Sequence, residues 1–138
     1  MSEKMHKIFS YKNIAVVGMS PKNDRPSNKV GQYLHDNGYN VFAVNPKVGN
    51  IGSIKSYASL RDIPNPIDIV NVFRKKEFVA SITNDAIEID AKVLWLQEGI
   101  EDNDSAILAS SNGMAVVMDR CMLKEHKKYK SIFLINYL

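Results

Sequence analysis

The sequence predicts an α/β protein whose sheet is doubly wound and mainly parallel, with helices on both faces and therefore three layers. Short, continuous apolar runs alternate regularly with segments that carry one apolar face. Such runs are typical of strands buried on both faces of a parallel sheet, and their alternation with helices favours right-handed crossovers. A length of 138 residues suits one ordinary domain with its own core, so we expect a single domain over residues 1–138.

Five apolar runs define the predicted strands, and they lie at residues 14–18, 41–44, 67–73, 93–96 and 115–118. Segments with helical spacing or capping residues lie between them and predict helices over residues 1–11, from 26 to near 38, over 78–89 and over 102–112. Residues 48–56 predict a loop, with or without a short strand, and residues 57–62 predict a short helical turn.

The composition argues against several classes of protein. A hydrophobic content of 45% and a charged content of 24% are typical of globular domains, and a net charge of +3 is too mild to predict a nucleic-acid partner. The single cysteine, Cys121, cannot form an internal disulfide, which favours a reducing compartment. The first residues lack the apolar core of a signal peptide, and no run is long enough to span a bilayer. We therefore expect a cytoplasmic protein without a membrane partner.

The polar turn after the first strand is the strongest candidate for a binding site. Ligands of doubly wound sheets bind beyond the carboxyl ends of the strands, where the strand order reverses. Gly18 ends the first run and would let the backbone approach a phosphate, and Ser20 adds a hydroxyl donor. The following helix would contribute N–H groups and its dipole. Glycine and serine also occur in such turns without a ligand, so the turn by itself leaves both interpretations open.

The first two strand ends argue against NAD as the ligand. The second and third glycines of the dinucleotide fingerprint are absent, and Asn45-Pro46-Lys47 stands where an acidic residue usually binds the NAD ribose. A lysine suits a ribose that carries a phosphate, as in coenzyme A or NADP, and an asparagine can bond a hydroxyl or an amide. Arg25 and Arg74 are further candidates, because arginine binds phosphate through a planar fork.

The remaining strand ends offer binding candidates but no clear catalytic group. Phe73 could stack on an adenine, although a core phenylalanine fits equally well. Gln97, Glu98 and Gly99 follow the run at 93–96, and one carboxylate does not make an acid–base pair. Cys121 is the one potential nucleophile, and a plain buried cysteine fits it better. The three histidines, at positions 6, 35 and 126, are scattered. We therefore expect no catalytic residue and no metal site.

Six short motifs occur in order along residues 10–128, the predicted core of the domain. They are Val16-Val17-Gly18-Met19-Ser20 with Arg25-Pro26-Ser27, Gly38-Tyr39-Asn40-Val41, Val44-Asn45-Pro46-Lys47, Asp68-Ile69-Val70-Asn71-Val72-Phe73-Arg74, Trp95-Leu96-Gln97-Glu98-Gly99, and Val117-Met118-Asp119-Arg120-Cys121 running on to Glu125-His126. With these motifs the chain resembles the small stand-alone CoA-binding proteins. Their domain is similar to the CoA-binding domain of the succinyl-CoA synthetase α subunit.

The resemblance implies a Rossmann-like domain that binds coenzyme A along the carboxyl edge of the sheet. It does not imply ligase activity, because the phosphorylated histidine of the synthetase belongs to a separate domain. Met19 stands where the family often has alanine, and its bulk could narrow the crevice. Carried over by position, the resemblance assigns Gly18 and Ser20 to the phosphates, Arg25 and Lys47 to the charged adenosine end, Asn45 and Pro46 to the nucleotide, Phe73 and Arg74 to the adenine side, and Gln97, Glu98 and Gly99 to the pantetheine side.

These observations predict a non-catalytic binding or regulatory module whose small-molecule ligand is coenzyme A or an acyl-CoA. The alternative is a small enzyme that uses NADP or another nucleotide in the same crevice. The C-terminal residues 131–138 are unusually apolar. An exposed apolar tail favours association, so we expect this segment to dock on the chain itself, on a second copy or on another protein.

Overall fold

The computed structural model describes residues 3–47 and 49–137, with side chains described up to residue 132. Its helices and strands alternate along almost the whole chain. In order they are α1 (Glu3–Ser10), β1 (Asn13–Val17), α2 (Pro26–Asp36), β2 (Asn40–Val44), β3 (Ser56–Tyr57), β4 (Ile69–Val72), α3 (Val79–Glu88), β5 (Val93–Leu96), α4 (Asn103–Ser111), β6 (Ala115–Val117) and α5 (Met122–Tyr137). Two 3-10 turns, Leu60–Asp62 and Lys76–Phe78, precede β4 and α3.

All six strands form one parallel sheet with the order β3-β2-β1-β4-β5-β6. The predicted fold class, a Rossmann-like doubly wound sheet, is therefore confirmed. Val17, Val44 and Val72 lie side by side in the register, so β1, β2 and β4 end at the same level. The strand order reverses between β1 and β4, and this is where a doubly wound sheet opens a crevice.

Helices cover both faces of the sheet, and each side has its own apolar core. On one face, α1, α2 and α5 contribute Phe9, Leu34 and Met122 to a cluster that packs on β1, β4 and β5. On the other face, α3 and α4 contribute Ala86 and Ala109 to a second cluster. Burial of both faces explains why the strands read as continuous apolar runs rather than alternating ones.

Two local predictions are wrong in part. The helical turn predicted over residues 57–62 is confirmed at Leu60–Asp62, but Tyr57 lies in the short edge strand β3, where its carbonyl accepts the Asn45 N–H beside β2. Phe78 does not lie on the apolar side of α3. It belongs to the 3-10 turn before that helix and its residue is 40% exposed, because Val79, Thr83 and Ala86 occupy the buried face of α3.

The C-terminal segment predicted as an apolar tail belongs largely to α5, which continues to Tyr137. Residue 138 and the side chains beyond residue 132 lie outside the described part of the chain, so docking through this segment stays a prediction. Within the described residues, no helix is long and apolar enough to cross a bilayer.

An aromatic cluster around His126 joins α1, α2 and α5. The His126 ring is 5% exposed, its Nδ1 shares a 2.7 Å hydrogen bond with the Tyr33 hydroxyl, and the rings of Phe9 and Tyr39 meet it edge-on at centroid distances of 5.2 and 5.5 Å. Burial lowers the pKa of His126, and the positive charges of two nearby lysines add to this effect. The neutral imidazole is therefore the form that the fold accommodates.

The free energy of unfolding should fall as the pH decreases below about 6.5, the ordinary pKa of histidine in an unfolded chain. Because the pKa of folded His126 is lower, the unfolded chain binds more protons between the two values, and full stability is reached only above that window. Urea unfolding between about pH 8 and pH 5.5 measures this slope. His126→Gln should flatten it; an unchanged slope in that variant would show that another group is responsible.

Candidate functional site

Three adjoining cavities lie along the carboxyl edge of the sheet. The first-loop cavity, of about 380 Å³, lies between the β1 turn and the start of α2, and is lined by Gly18, Ser20, Lys22, Arg25, Pro26, Ser27 and Phe73. The β2-side cavity, of about 190 Å³, is lined by Val17, Gly18, Val44, Pro46, Ala58, Ser59, Leu60, Arg74, Phe78, Ser81, Ile82 and Asp85. The β5-side cavity, of about 640 Å³, is lined by Asp24, Pro26, Lys29, Val30, Phe73, Arg74, Lys75, Gln97, Glu98, Ile100, Cys121, Leu123 and Lys124.

Shared walls make these cavities one continuous crevice. Gly18 borders both the first-loop and the β2-side cavity. Phe73 and Pro26 border both the first-loop and the β5-side cavity, and Arg74 borders the two outer ones. The crevice therefore crosses the ends of β1 and β4, at the predicted reversal of strand order.

Gly18 is required by the packing of these two strand ends. Its φ of +88° is a conformation that L side chains rarely adopt, and a Cβ atom built on it would lie 2.5 Å from the Phe73 carbonyl oxygen. The Gly18 N–H donates a 2.8 Å hydrogen bond to the Val44 carbonyl, which fixes the turn to β2 as well. A side chain here would separate β1 from β4 or push the turn into the crevice.

Buried polar side chains hold the loop after Gly18 in shape. The Ser20 N–H donates to the hydroxyl of buried Ser27 at 2.9 Å, and the amide of buried Asn28 donates to the Ser20 carbonyl at 2.8 Å. The Asn45 amide donates to the Met19 carbonyl at 3.2 Å. These contacts tie the loop to α2 and β2 before any ligand arrives, which lowers the ordering cost of binding.

The first-loop cavity offers donors and positive charge. The Ser20 hydroxyl oxygen accepts the Lys22 N–H at 3.1 Å, so its own proton is available to a ligand. At the start of α2, the Ser27 N–H has no backbone acceptor among the described residues, and the helix dipole favours an anion there. Arg25 and Lys22 line the same cavity with exposed side chains. The arrangement suits a phosphate or diphosphate group.

On the β2 side, an arginine and an aromatic ring form a flat wall. The Arg74 guanidinium carbon lies 4.2 Å from the centroid of the Phe78 ring, and both residues line the cavity with Pro46 and Leu60. Planar groups of this kind stack on aromatic heterocycles. Phe78 is not among the site residues predicted from the sequence, although its position four residues after Arg74 and near a helix start is a signal for it.

On the β5 side, the cavity wall is held by contacts between β5 and α5. The Gln97 side-chain oxygen accepts the Met122 N–H at 3.0 Å. Glu98 forms a 3.0 Å ion pair with Lys124. That hydrogen-bonded pairing with Glu98 is the main cause of the raised pKa of Lys124.

The structure brings most of the predicted site residues to the crevice. Those that line it are Gly18, Ser20, Arg25, Pro46, Phe73, Arg74, Gln97 and Glu98. Three others do not line these cavities. Asn45 braces the first loop, the Lys47 N–H donates to the Asn45 side-chain oxygen at 3.1 Å, and the Gly99 N–H donates to the Asp119 carboxylate at 2.7 Å. Ligand contacts of these three residues stay predictions.

No group of three or more histidine, cysteine or acidic side chains that could hold a metal ion occurs in the described part of the chain. The carboxylates at the β5 end are already engaged, Glu98 by Lys124 and Asp119 by the Gly99 N–H. His126 lies in the aromatic cluster, where its ring packs against Phe9.

Comparison with known proteins identifies relatives over most of the chain. Residues 12–127 match a protein family described as a CoA binding domain. The uncharacterised protein YneT of Bacillus subtilis is 38% identical over 115 residues, which cover 83% of this chain and 85% of YneT. The solved structure of a hypothetical protein from Pyrococcus horikoshii OT3 superposes with a TM-score of 0.87 at 37% identity, covering 91% of this chain and 89% of that protein.

A shorter similarity leads to a much larger protein. The ADP-forming acetate–CoA ligase I of Archaeoglobus fulgidus is 34% identical over 65 residues, which are 47% of this chain and 10% of the ligase. The chain thus corresponds to a small part of that ligase.

Gly18→Ala should destabilise the fold more than the matched change Gly38→Ala. Both glycines have a positive φ, but a Cβ atom at Gly38 meets nothing within 4 Å, whereas one at Gly18 meets the Phe73 carbonyl. We expect a loss of about 1 kcal/mol for Gly38→Ala and about 1–3 kcal/mol more for Gly18→Ala, measured by urea unfolding. Equal losses would show that β1 and β4 separate without strain.

Proposed function

Because the chain belongs to the CoA binding domain family, we propose that it binds coenzyme A or an acyl-CoA across the three cavities of the carboxyl edge. One observation carries the proposal. The crevice has a small cavity with a planar wall on the β2 side, a cationic loop whose cavity adjoins both others, and on the β5 side the largest of the three cavities, with apolar side chains in its wall. Adenosine, diphosphate and pantetheine follow one another in the same order in coenzyme A.

The diphosphate is proposed to lie in the first-loop cavity. Support comes from the free Ser27 N–H, the Ser20 hydroxyl and the charges of Arg25 and Lys22, which all belong to one loop and one helix start. A charged hydrogen bond from arginine is about twice as strong as a neutral one. The braces on this loop mean that little ordering entropy is lost on binding.

The adenosine end is proposed to lie in the β2-side cavity. Arg74 stacked on Phe78 provides a flat face for the adenine, and the Ser59 hydroxyl is a polar group in the same wall. Phe73 borders the other two cavities instead, so we assign it to the start of the pantetheine arm rather than to adenine. Lys47 follows β2 with an exposed side chain and remains our candidate for the ribose phosphate.

The pantetheine arm is proposed to lie in the β5-side cavity, whose volume of about 640 Å³ is the largest of the three. Val30, Ile100 and Leu123 give it apolar walls, which suit the methyl groups and methylenes of the arm. The Gln97 amide contributes a polar group that can bond one of the arm's two amide linkages.

We further propose that this binding is not coupled to catalysis. Support comes from the engagement of Glu98 by Lys124 and of Asp119 by the Gly99 N–H, so that neither carboxylate is free to act as a general base. A cytoplasmic module that holds or reports coenzyme A fits this chemistry. The larger ligase that shares part of this sequence carries a CoA-related activity in its name, but only a tenth of it aligns here.

Calorimetric titration tests the proposal with coenzyme A, dephospho-CoA, NADP and NAD. We expect coenzyme A to bind about tenfold or more tightly than dephospho-CoA, because one charged phosphate contact is lost, and NAD to bind weakest. Arg25→Gln should weaken coenzyme A binding about tenfold. The matched control is Lys92→Gln, which removes a charge beside the amino end of β5, away from the crevice.

Absence of coenzyme A binding, or an equal loss from Arg25→Gln and Lys92→Gln, would contradict the proposed site. Tighter binding of NADP together with turnover of a nicotinamide substrate would favour the enzyme alternative instead.

A further inference from the structure

We propose that Cys121 forms a mixed disulfide with the thiol of a coenzyme A unit delivered as its disulfide, so that the crevice retains coenzyme A covalently. The proposal rests on the proposed function, because it needs the pantetheine arm in the β5-side cavity. Cys121 lines that cavity together with Gln97 and Lys124, and its residue is partly exposed.

The backbone on both sides of Cys121 is fixed by side chains from β5. The Trp95 indole N–H donates to the Arg120 carbonyl at 2.8 Å, and the Met122 N–H donates to the Gln97 side chain at 3.0 Å. Trp95 and Met122 are fully buried, and Gln97 is 4% exposed. The sulfur is therefore carried by a rigid turn at the cavity wall rather than by a loose loop.

The unpaired amide group of Gln97 is independent evidence for a ligand beside this sulfur. The Met122 N–H needs an acceptor, so the Gln97 oxygen occupies that contact and its NH₂ group remains. This NH₂ group has no hydrogen-bond partner within the described residues, and Gln97 is 4% exposed and lines the cavity. A donor without a protein partner at a cavity wall is available to a ligand. A carbonyl of the pantetheine arm would satisfy it, and the thiol lies at the far end of the same arm.

The ammonium group of Lys124 belongs to the wall of the same cavity as Cys121. Its pKa is raised chiefly by the hydrogen bond to Glu98 and by the charge of that carboxylate. Lys124 lines the cavity, so its charge also faces an incoming anionic reagent.

The reaction is a thiol–disulfide exchange with coenzyme A disulfide as the named co-reactant. The Cys121 thiol gives up its proton, and the thiolate attacks one sulfur of the disulfide. A new bond forms between Cys121 and that coenzyme A sulfur, the original S–S bond breaks, and the released thiolate takes up a proton to become free coenzyme A. The protein thiol is oxidised and one coenzyme A unit is reduced, so no further oxidant is required.

Intact-mass spectrometry of the full chain, sampled over time, tests the proposal with coenzyme A disulfide and with glutathione disulfide. We expect the single coenzyme A adduct to form at least about tenfold faster than the glutathione adduct, because a bound arm presents its sulfur at a high effective concentration. Saturating desulfo-CoA, which lacks the thiol, should slow the reaction with coenzyme A disulfide by occupying the same crevice. Gln97→Glu, which keeps an oxygen for the Met122 N–H but lacks the NH₂ donor, should lower the rate with coenzyme A disulfide more than the rate with glutathione disulfide.

A matched control moves the only thiol out of the crevice. The double variant Cys121→Ser with Ser110→Cys carries an exposed thiol on α4, on the other face of the sheet. Its rates with the two disulfides should be similar and insensitive to desulfo-CoA. Similar rates in the unaltered protein would overturn the proposal.

Calorimetry with desulfo-CoA distinguishes failure of the covalent step from failure of the proposed coenzyme A site. Binding without selective adduct formation would refute the covalent step and leave the proposed function standing. No binding, with unselective adducts, would refute both.

Discussion

The close approach of β1 to the end of β4 is the constraint on which the rest of the structure depends. It exists because Gly18 has no side chain, and a Cβ atom there would lie 2.5 Å from the Phe73 carbonyl oxygen. The same residue turns the chain with a φ of +88° and bonds to the end of β2. One glycine thus sets the distance between three neighbouring strand ends, and the first-loop and β2-side cavities share it as a wall.

Polar side chains buried under the first loop then hold it in one conformation, so the binding surface is formed before a ligand arrives. Ser27 and Asn28 are buried in the first turn of α2 and bond the N–H and carbonyl of Ser20, while Asn45 holds Met19 from the other side. Most buried polar groups in proteins are paired, and each of these side chains has a defined partner. The inward-facing polar groups of the loop are hydrogen-bonded within the protein, so its outward-facing hydroxyl and N–H groups remain free to bind a ligand.

The sequence predicts the layers and most of the strands well because both follow from strong, local signals. Continuous apolar runs identified β1, β4 and β5 within a few residues. The two-residue strand β3 is too short to have a pattern, and it exists only because β2 offers an unpaired edge. The burial of Phe78 was predicted wrongly because this residue ends a 3-10 turn and the buried face of α3 begins at Val79.

The sequence predicted which strand ends form the candidate site, but it did not predict which side chains line each cavity. Asn45 follows β2 as predicted, yet its amide is used to brace the loop, which depends on a contact 26 residues away in the chain. That the NH₂ group of Gln97 is unpaired is likewise known only from the three-dimensional structure, in which the start of α5 contacts the residue after β5. Such roles come from tertiary contacts and not from residue type.

The turn before α5 is anchored to the interior of the sheet. Trp95 and Gln97 belong to or directly follow β5, an interior strand, and they hold Arg120 and Met122 without using the edge strand β6. Strand β6 is paired on one side only, whereas β5 is paired on both. The turn carrying Cys121 is therefore held by the interior of the sheet, through contacts that do not depend on the pairing of β6.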